Sequence, residues 1–168
     1  SLAGLEGLED VVYINIQDNR SLASLDGLES LERVRENLYI RNNPVLTDMT
    51  SLSGIDFSQE GSIWISANAS LSILDGPFAS THIAGDVIID HQHSMTDLDG
   101  LSGVVSIGGR LEVKDNGRLV DIDGLRSISS VTEGVEFFYN SALCETDVQA
   151  FIDGVSTTST RTELNHAC

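Results

Sequence analysis

Asn37-Leu38-Tyr39-Ile40-Arg41-Asn42-Asn43-Pro44-Val45-Leu46 reads as a short strand that runs into a turn anchored by an amide. Leu38 and Ile40 flank Tyr39, so two aliphatic side chains share one face and the residue between them takes the other. Asn43 follows three residues after Ile40, and Leu46 three after that. The same grouping recurs along the 168-residue chain. Its apolar pairs are Ile14/Ile16, Leu38/Ile40, Ile63/Ile65, Val87/Ile89, Leu111/Val113 and Val135/Phe137. Its amides are Asn19, Asn43, Asn68, Gln92, Asn116 and Asn140, followed by Leu22, Leu46, Leu71, Met95, Leu119 and Leu143. A Leu-Asp-Gly-Leu turn then appears at 25–28 and 98–101, with Ile122 replacing its first leucine at 122–125. It is altered at Leu74-Asp75-Gly76-Pro77, and only its apolar ends persist at 49–52.

A period of about 24 residues sustained over the chain predicts one repeat domain. A single repeat cannot bury its own apolar side, whereas equivalent coils stacked ~4.8 Å apart bury all of them in one column. The expected fold is an all-β, right-handed parallel β-helix or solenoid of about six coils, with a short C-terminal capping helix. Each amide falls where the chain turns away from the sheet and leaves backbone polar groups inside. An asparagine side chain offers donors and an acceptor to the turns above and below it, so the amides should form a ladder. Gln92 is longer by one methylene and Pro77 lies nearby, so distortion is expected over about residues 76–96.

The solenoid is expected over residues 1–143 and its cap over 144–168. Thr146 and Gln149 have capping-box spacing, and Val148, Phe151, Ile152 and Val155 recur at helical spacing, predicting a helix over about 146–154. Cys144 and Cys168 are the two cysteines and lie at the C-terminal end. Such a pair reads as a disulfide formed in an oxidising compartment, the alternative being two buried thiols. The chain opens at Ser1-Leu2-Ala3-Gly4-Leu5, already within a repeat and without a signal peptide, as expected of a trimmed or mature product.

Charge and composition narrow the partners. The formal net charge is −17, with one lysine, Lys114, among nine basic residues. That field repels a phosphate backbone and an anionic leaflet, so nucleic acid and anionic membranes are poor partners. No apolar run approaches the ~20 residues of a spanning helix, so no transmembrane segment is expected. The sequons Asn19-Arg20-Ser21 and Asn68-Ala69-Ser70 place asparagines at ladder positions, which argues for an internal rather than a glycosylated role.

These residues resemble the receptor L domain, the leucine-rich β-solenoid of insulin-receptor and EGF-receptor ectodomains, and bacterial extracellular proteins with the same repeat. The matching pattern runs from Asn37-Leu38-Tyr39-Ile40 through Asn43 and Leu46 to Leu52, in about six copies covering nearly the whole chain. The leucine stands three residues after the asparagine, where ordinary leucine-rich repeats place it two after. No cysteine-rich module follows and no N-terminal cap helix is legible. The resemblance implies an extracellular or cell-surface binding surface and leaves the ligand open.

Strand alternation assigns the exposed residues. One outward column is Asn15, Tyr39, Trp64, Ile88, Glu112 and Glu136, and its neighbour is Gln17, Arg41, Ser66, Asp90, Lys114 and Phe138. Tyr39, Trp64 and Ile88, with Arg41 and Glu112 beside them, are the candidate ligand-binding residues, because exposed aromatics and arginine mark contact surfaces. Plain cross-strand stacking would also account for the aromatics. Glu112 and Glu136 should be neighbours, leaning toward Arg110 and Lys114. Asp75, Asp99 and Asp123 form an acidic row at the turns, where calcium could find oxygen ligands but where aspartate before glycine usually bonds its own backbone. His91 and His93 flank Gln92 and read as loop side chains rather than metal ligands. No catalytic residue, metal or cofactor is expected. The function expected is recognition of a protein or glycan through the sheet face. A structural module of the cell envelope, whose sheet packs on a copy of itself as a homo-oligomer, is an alternative. A polysaccharide-active β-helix enzyme is another.

Overall fold

A computed structural model of the chain describes residues 2–57, 61–74, 79–163 and 165–168. In chain order the elements are β1 (Asp10–Val11), β2 (Ile14–Gln17), β3 (Arg33–Val34), β4 (Asn37–Arg41), β5 (Ser62–Ser66), β6 (His82–Ile83), β7 (Val87–Asp90), β8 (Ser106–Ile107), β9 (Arg110–Lys114), β10 (Ser130–Val131), β11 (Gly134–Phe138), α1 (Glu145–Gly154), β12 (Ser156–Thr157) and β13 (Thr160–Glu163). Short 3₁₀ turns occupy Thr50–Leu52, Asp99–Leu101 and Asp123–Leu125.

The strands form three parallel sheets. The largest has the order β13-β11-β9-β7-β5-β4-β2, a second has β12-β10-β8-β6, and β1 pairs with β3. From β6 to β11 successive strands alternate between the two larger sheets. The register is constant. Ile14 lies beside Leu38, Leu38 beside Ile63, Ile63 beside Val87, Val87 beside Leu111, Leu111 beside Val135, and Val135 beside Thr160. The inward residues of β2, β4, β5, β7, β9 and β11 are buried and join Leu25, Leu28, Leu46, Leu71, Met95, Leu119 and Leu143 in one core. The seventh strand, β13, was not legible in the sequence, because Thr160 and Thr162 stand where the other strands carry aliphatic residues.

The amides make a continuous chain of hydrogen bonds. The backbone N–H of Asn43 donates to the Asn68 side-chain oxygen at 3.1 Å, and that of Asn116 to the Asn140 oxygen at 3.1 Å. The side-chain amides of Asn43, Asn68, Asn116 and Asn140 also donate to a carbonyl of the neighbouring strand, Asn68 to Ile40 at 2.9 Å and Asn116 to Ile89 at 3.0 Å. Asn165 adds a seventh rung, accepting from the Asn140 N–H at 3.3 Å. Two expectations are corrected. Asn19 is exposed as the first rung: its N–H donates to the Asn43 side-chain oxygen at 3.1 Å, but its side-chain amide reaches only its own Gln17 carbonyl, whereas Asn68 is fully buried. Among the described residues of 76–96, the distortion expected near Gln92 does not reach the strands: β6 and β7 keep their register. The longer Gln92 side chain instead folds back onto its own Asp90 carbonyl at 2.9 Å, while its oxygen still accepts from Asn68. The altered turn at Asp75, Gly76 and Pro77 lies outside the described residues.

One residue before each amide the backbone is left-handed. Asp18, Asn42, Ala67, His91, Asp115 and Tyr139 have φ between 53° and 61°. Asparagine and aspartate tolerate this region and alanine and tyrosine do so less readily, so the recurring turn geometry overrides local preference at Ala67 and Tyr139. The glycine of the Leu-Asp-Gly-Leu turns is fixed by stacking. A Cβ on Gly100 would lie 2.6 Å from the Leu74 carbonyl oxygen, and one on Gly124 would overlap the Leu98 carbonyl. Gly124→Ala is expected to cost about 2 kcal/mol through this backbone collision, seen as a lowered urea midpoint with unchanged m-value.

The cap differs in detail from expectation. The helix α1 spans Glu145–Gly154, and Val148 is buried beneath it. Phe151 meets the core ring of Phe137 edge-on at 6.1 Å. The expected capping box is absent: Cys144 is the N-cap and makes no side-chain capping hydrogen bond, and Gln149 donates to Asp153 instead. Glu145 and Asp147 in the first turn supply the negative charge that favours a helix N-terminus. Cys144 and Cys168 are disulfide-bonded, with Cα atoms 5.7 Å apart.

Candidate recognition face

The outward side of the seven-stranded sheet is set by the same register as the core. Asn15, Tyr39, Trp64, Ile88, Glu112, Glu136 and Arg161 are lateral neighbours in one column. Gln17, Arg41, Ser66, Asp90, Lys114 and Phe138 form the next. Tyr39 and Trp64 are half-buried, with ring centroids 6.0 Å apart and planes tilted by 47°. The Arg41 guanidinium lies 5.5 Å from each ring centroid and donates to the Gln17 side-chain oxygen at 3.1 Å. Stacking of this kind holds a long side chain in one orientation and leaves guanidinium N–H groups for a ligand.

Ile88 is not exposed: its accessibility is 4%. It sits between Trp64 and Glu112 in the column, so large neighbours on both sides cover it. The exposed apolar surface expected there is therefore confined to the two aromatic rings. Beside it, the Trp64 Nε1 and Asp90 Oδ1 atoms are buried without a hydrogen-bond partner among the described residues, as is Arg110 Nε.

The upper part of the face is charged and internally paired. Arg110 meets Glu112 at 3.3 Å, with Asp86 at 3.9 Å. Glu136 neighbours Glu112 and Arg161 in the register. Lys114 meets Asp115 at 3.7 Å. His91 lies 3.0 Å from Asp90 and 3.5 Å from Asp115, while His93 is exposed. Phe138 is buried under the Arg161 guanidinium, 5.0 Å from its ring centroid. A further ladder runs along the strand entrances. The oxygens of Asn37, Ser62 and Asp86 accept the backbone N–H groups of Ser62, Asp86 and Arg110. Its signal in the sequence is the polar residue just before the apolar pair, at Asn37, Ser62 and Asp86.

The turn row carries Asp99 and Asp123, the latter paired with Arg126 at 2.6 Å, while Asp75 lies outside the described residues. Among the described residues no group of three or more histidines, cysteines or carboxylates could hold a metal ion. Partial desolvation, then the charges of Asp97, Asp121 and Asp123, raise the Asp99 pKa above 3.8. A carboxyl whose pKa is raised by folding holds its proton more tightly in the folded state, so its ionisation destabilises the fold and acid relieves it. Asp99→Asn is expected to raise the melting temperature at neutral pH, and the gain should shrink as the pH falls through the raised pKa toward 3.8. A groove of about 480 Å³ is lined by Asp121, Ile122, Asp123 and Ile128 on one side and by Asp147 and Phe151 of α1.

No protein-family model, curated protein or solved structure matches the chain.

Proposed function

We propose that the chain is a right-handed parallel β-solenoid of the receptor L-domain kind, serving as an extracellular or cell-surface recognition module. The nearly regular step of 24 or 25 residues between paired parallel strands, the alternation between sheets and the amide ladder support the solenoid. The disulfide-bonded cysteine pair is compatible with an oxidising compartment, and no helix among the described residues is long and apolar enough to cross a membrane. The observation that carries the function is the cluster of Tyr39, Trp64 and Arg41 on the flat outer face. Tryptophan, tyrosine and arginine dominate the energetics of binding surfaces, and a uniform solenoid does not need them at outward positions.

The test is an array of glycans and surface proteins probed with the wild-type chain, Trp64→Ala and Arg41→Ala, each checked for its melting temperature. Loss of an anchoring side chain should weaken the captured ligand by about 30-fold, the effect of ~2 kcal/mol. Two folded variants that retain every wild-type interaction would falsify the recognition role of this face.

A further inference from the structure

We infer that the Tyr39–Trp64 platform takes a neutral hexose ring of a glycan, an inference that rests on the recognition face proposed above. Trp64 offers an aromatic surface of the size of one sugar ring, and the column beside it is polar. Arg41, Ser66 and Asp90 are lateral neighbours on successive strands, so guanidinium, hydroxyl and carboxylate lie along roughly 10 Å of the platform's edge. A guanidinium and a carboxylate are the complements of vicinal sugar hydroxyls, which both donate and accept hydrogen bonds.

Three observations favour a sugar over a protein ligand. Because Ile88 is buried, the apolar part of the face is limited to two half-buried rings. Two rings match the apolar face of a sugar ring and leave little for the apolar core of a protein interface. Second, hydrogen-bonding capacity beside the rings is only partly used. Asp90 Oδ2 meets His91 Nδ1 at 3.0 Å, while Asp90 Oδ1 and Trp64 Nε1 are buried without partners among the described residues. Among the described residues no carboxylate lies in ion-pair range of Arg41. In a chain of net charge −17 a cation on the sheet face without a carboxylate partner is conspicuous, and it leaves donors for a ligand. Third, Arg41, Asp90 and Lys114 lie in one column, so the platform's edge carries charges of both signs on an acidic protein. A uronate or sulfated sugar is disfavoured as it approaches through the surrounding negative field.

Trp64 is the sole tryptophan, so its emission reports directly on the platform. The probes are cellotetraose, maltotetraose, mannotetraose and galactotetraose, with tetragalacturonate as the charged comparison, each titrated to about 10 mM, well into the weak-binding range. The expected result is a saturable emission change with at least one neutral tetrasaccharide. Tetragalacturonate should bind at least about tenfold more weakly, and Arg41→Ala and Asp90→Asn should each weaken the neutral sugar by about tenfold without loss of the cooperative melting transition. The inference is overturned if no neutral probe changes the emission, if tetragalacturonate binds as well, or if both folded variants bind the sugar undiminished. Capture of a protein on the array through Trp64, with no sugar response, removes the sugar and leaves the recognition face standing.

Discussion

Asn116→Ala should lower stability by about 4 kcal/mol, because it orphans two buried backbone groups at about 1–3 kcal/mol each. Asn116 is fully buried. Its side-chain oxygen accepts the Gln92 N–H at 2.9 Å and its amide donates to the Ile89 carbonyl at 3.0 Å. Neither group has water to turn to once the amide is gone. In a chain of this size 4 kcal/mol corresponds to a fall of on the order of 10 °C in melting temperature. Asn19→Ala is the control. It removes the same residue type at the equivalent repeat position, but Asn19 is exposed and its amide bonds only to Gln17. Its cost should stay below about 1 kcal/mol. Thermal melts of the two variants separate burial from repeat position. Equal losses would mean that the ladder does not act through buried polar groups.

The repeat was legible because parallel pairing at equivalent positions imposes the same demand on every strand of the large sheet. An aliphatic residue facing the core and an amide at the turn recur wherever the backbone returns to the same place. What escaped the sequence was geometry that several residue types can satisfy. Asp18, Asn42, Ala67, His91, Asp115 and Tyr139 share one left-handed conformation without sharing chemistry, so no pattern marks them. Two-residue strands such as Ser106–Ile107 are too short for alternation to be read. The sequence placed Tyr39, Trp64 and Ile88 in one column, but it could not weigh side-chain size. Whether an outward residue is exposed depends on its lateral neighbours, and Ile88 is covered by larger ones. The polar atoms left unpaired beside Trp64 depend on rotamers and leave no mark in the pattern at all.

Removing the disulfide should cost about 3 kcal/mol, the loop-closure term for a loop of this length, and the loss should be local before it is global. Cys144 and Cys168 are 24 residues apart, and the loop they close holds α1, β12, β13 and Asn165. That segment is poorly supported by burial. Its strands read Ser156–Thr157 and Thr160–Glu163, mostly exposed, and Val148 is the one helix residue that is fully buried. Hydrophobic burial alone therefore holds the end of the stack weakly, and the covalent tie must supply the rest. Cys144→Ser with Cys168→Ser should expose the β13 amides to hydrogen exchange first, while β4, β5, β7 and β9, each paired on both sides, keep their protection. The Asn140 N–H should follow β13, since its acceptor is Asn165 inside the released loop. Uniform loss of protection across all strands would instead mean that the stack unfolds as one cooperative unit and that its end is no weaker than its middle.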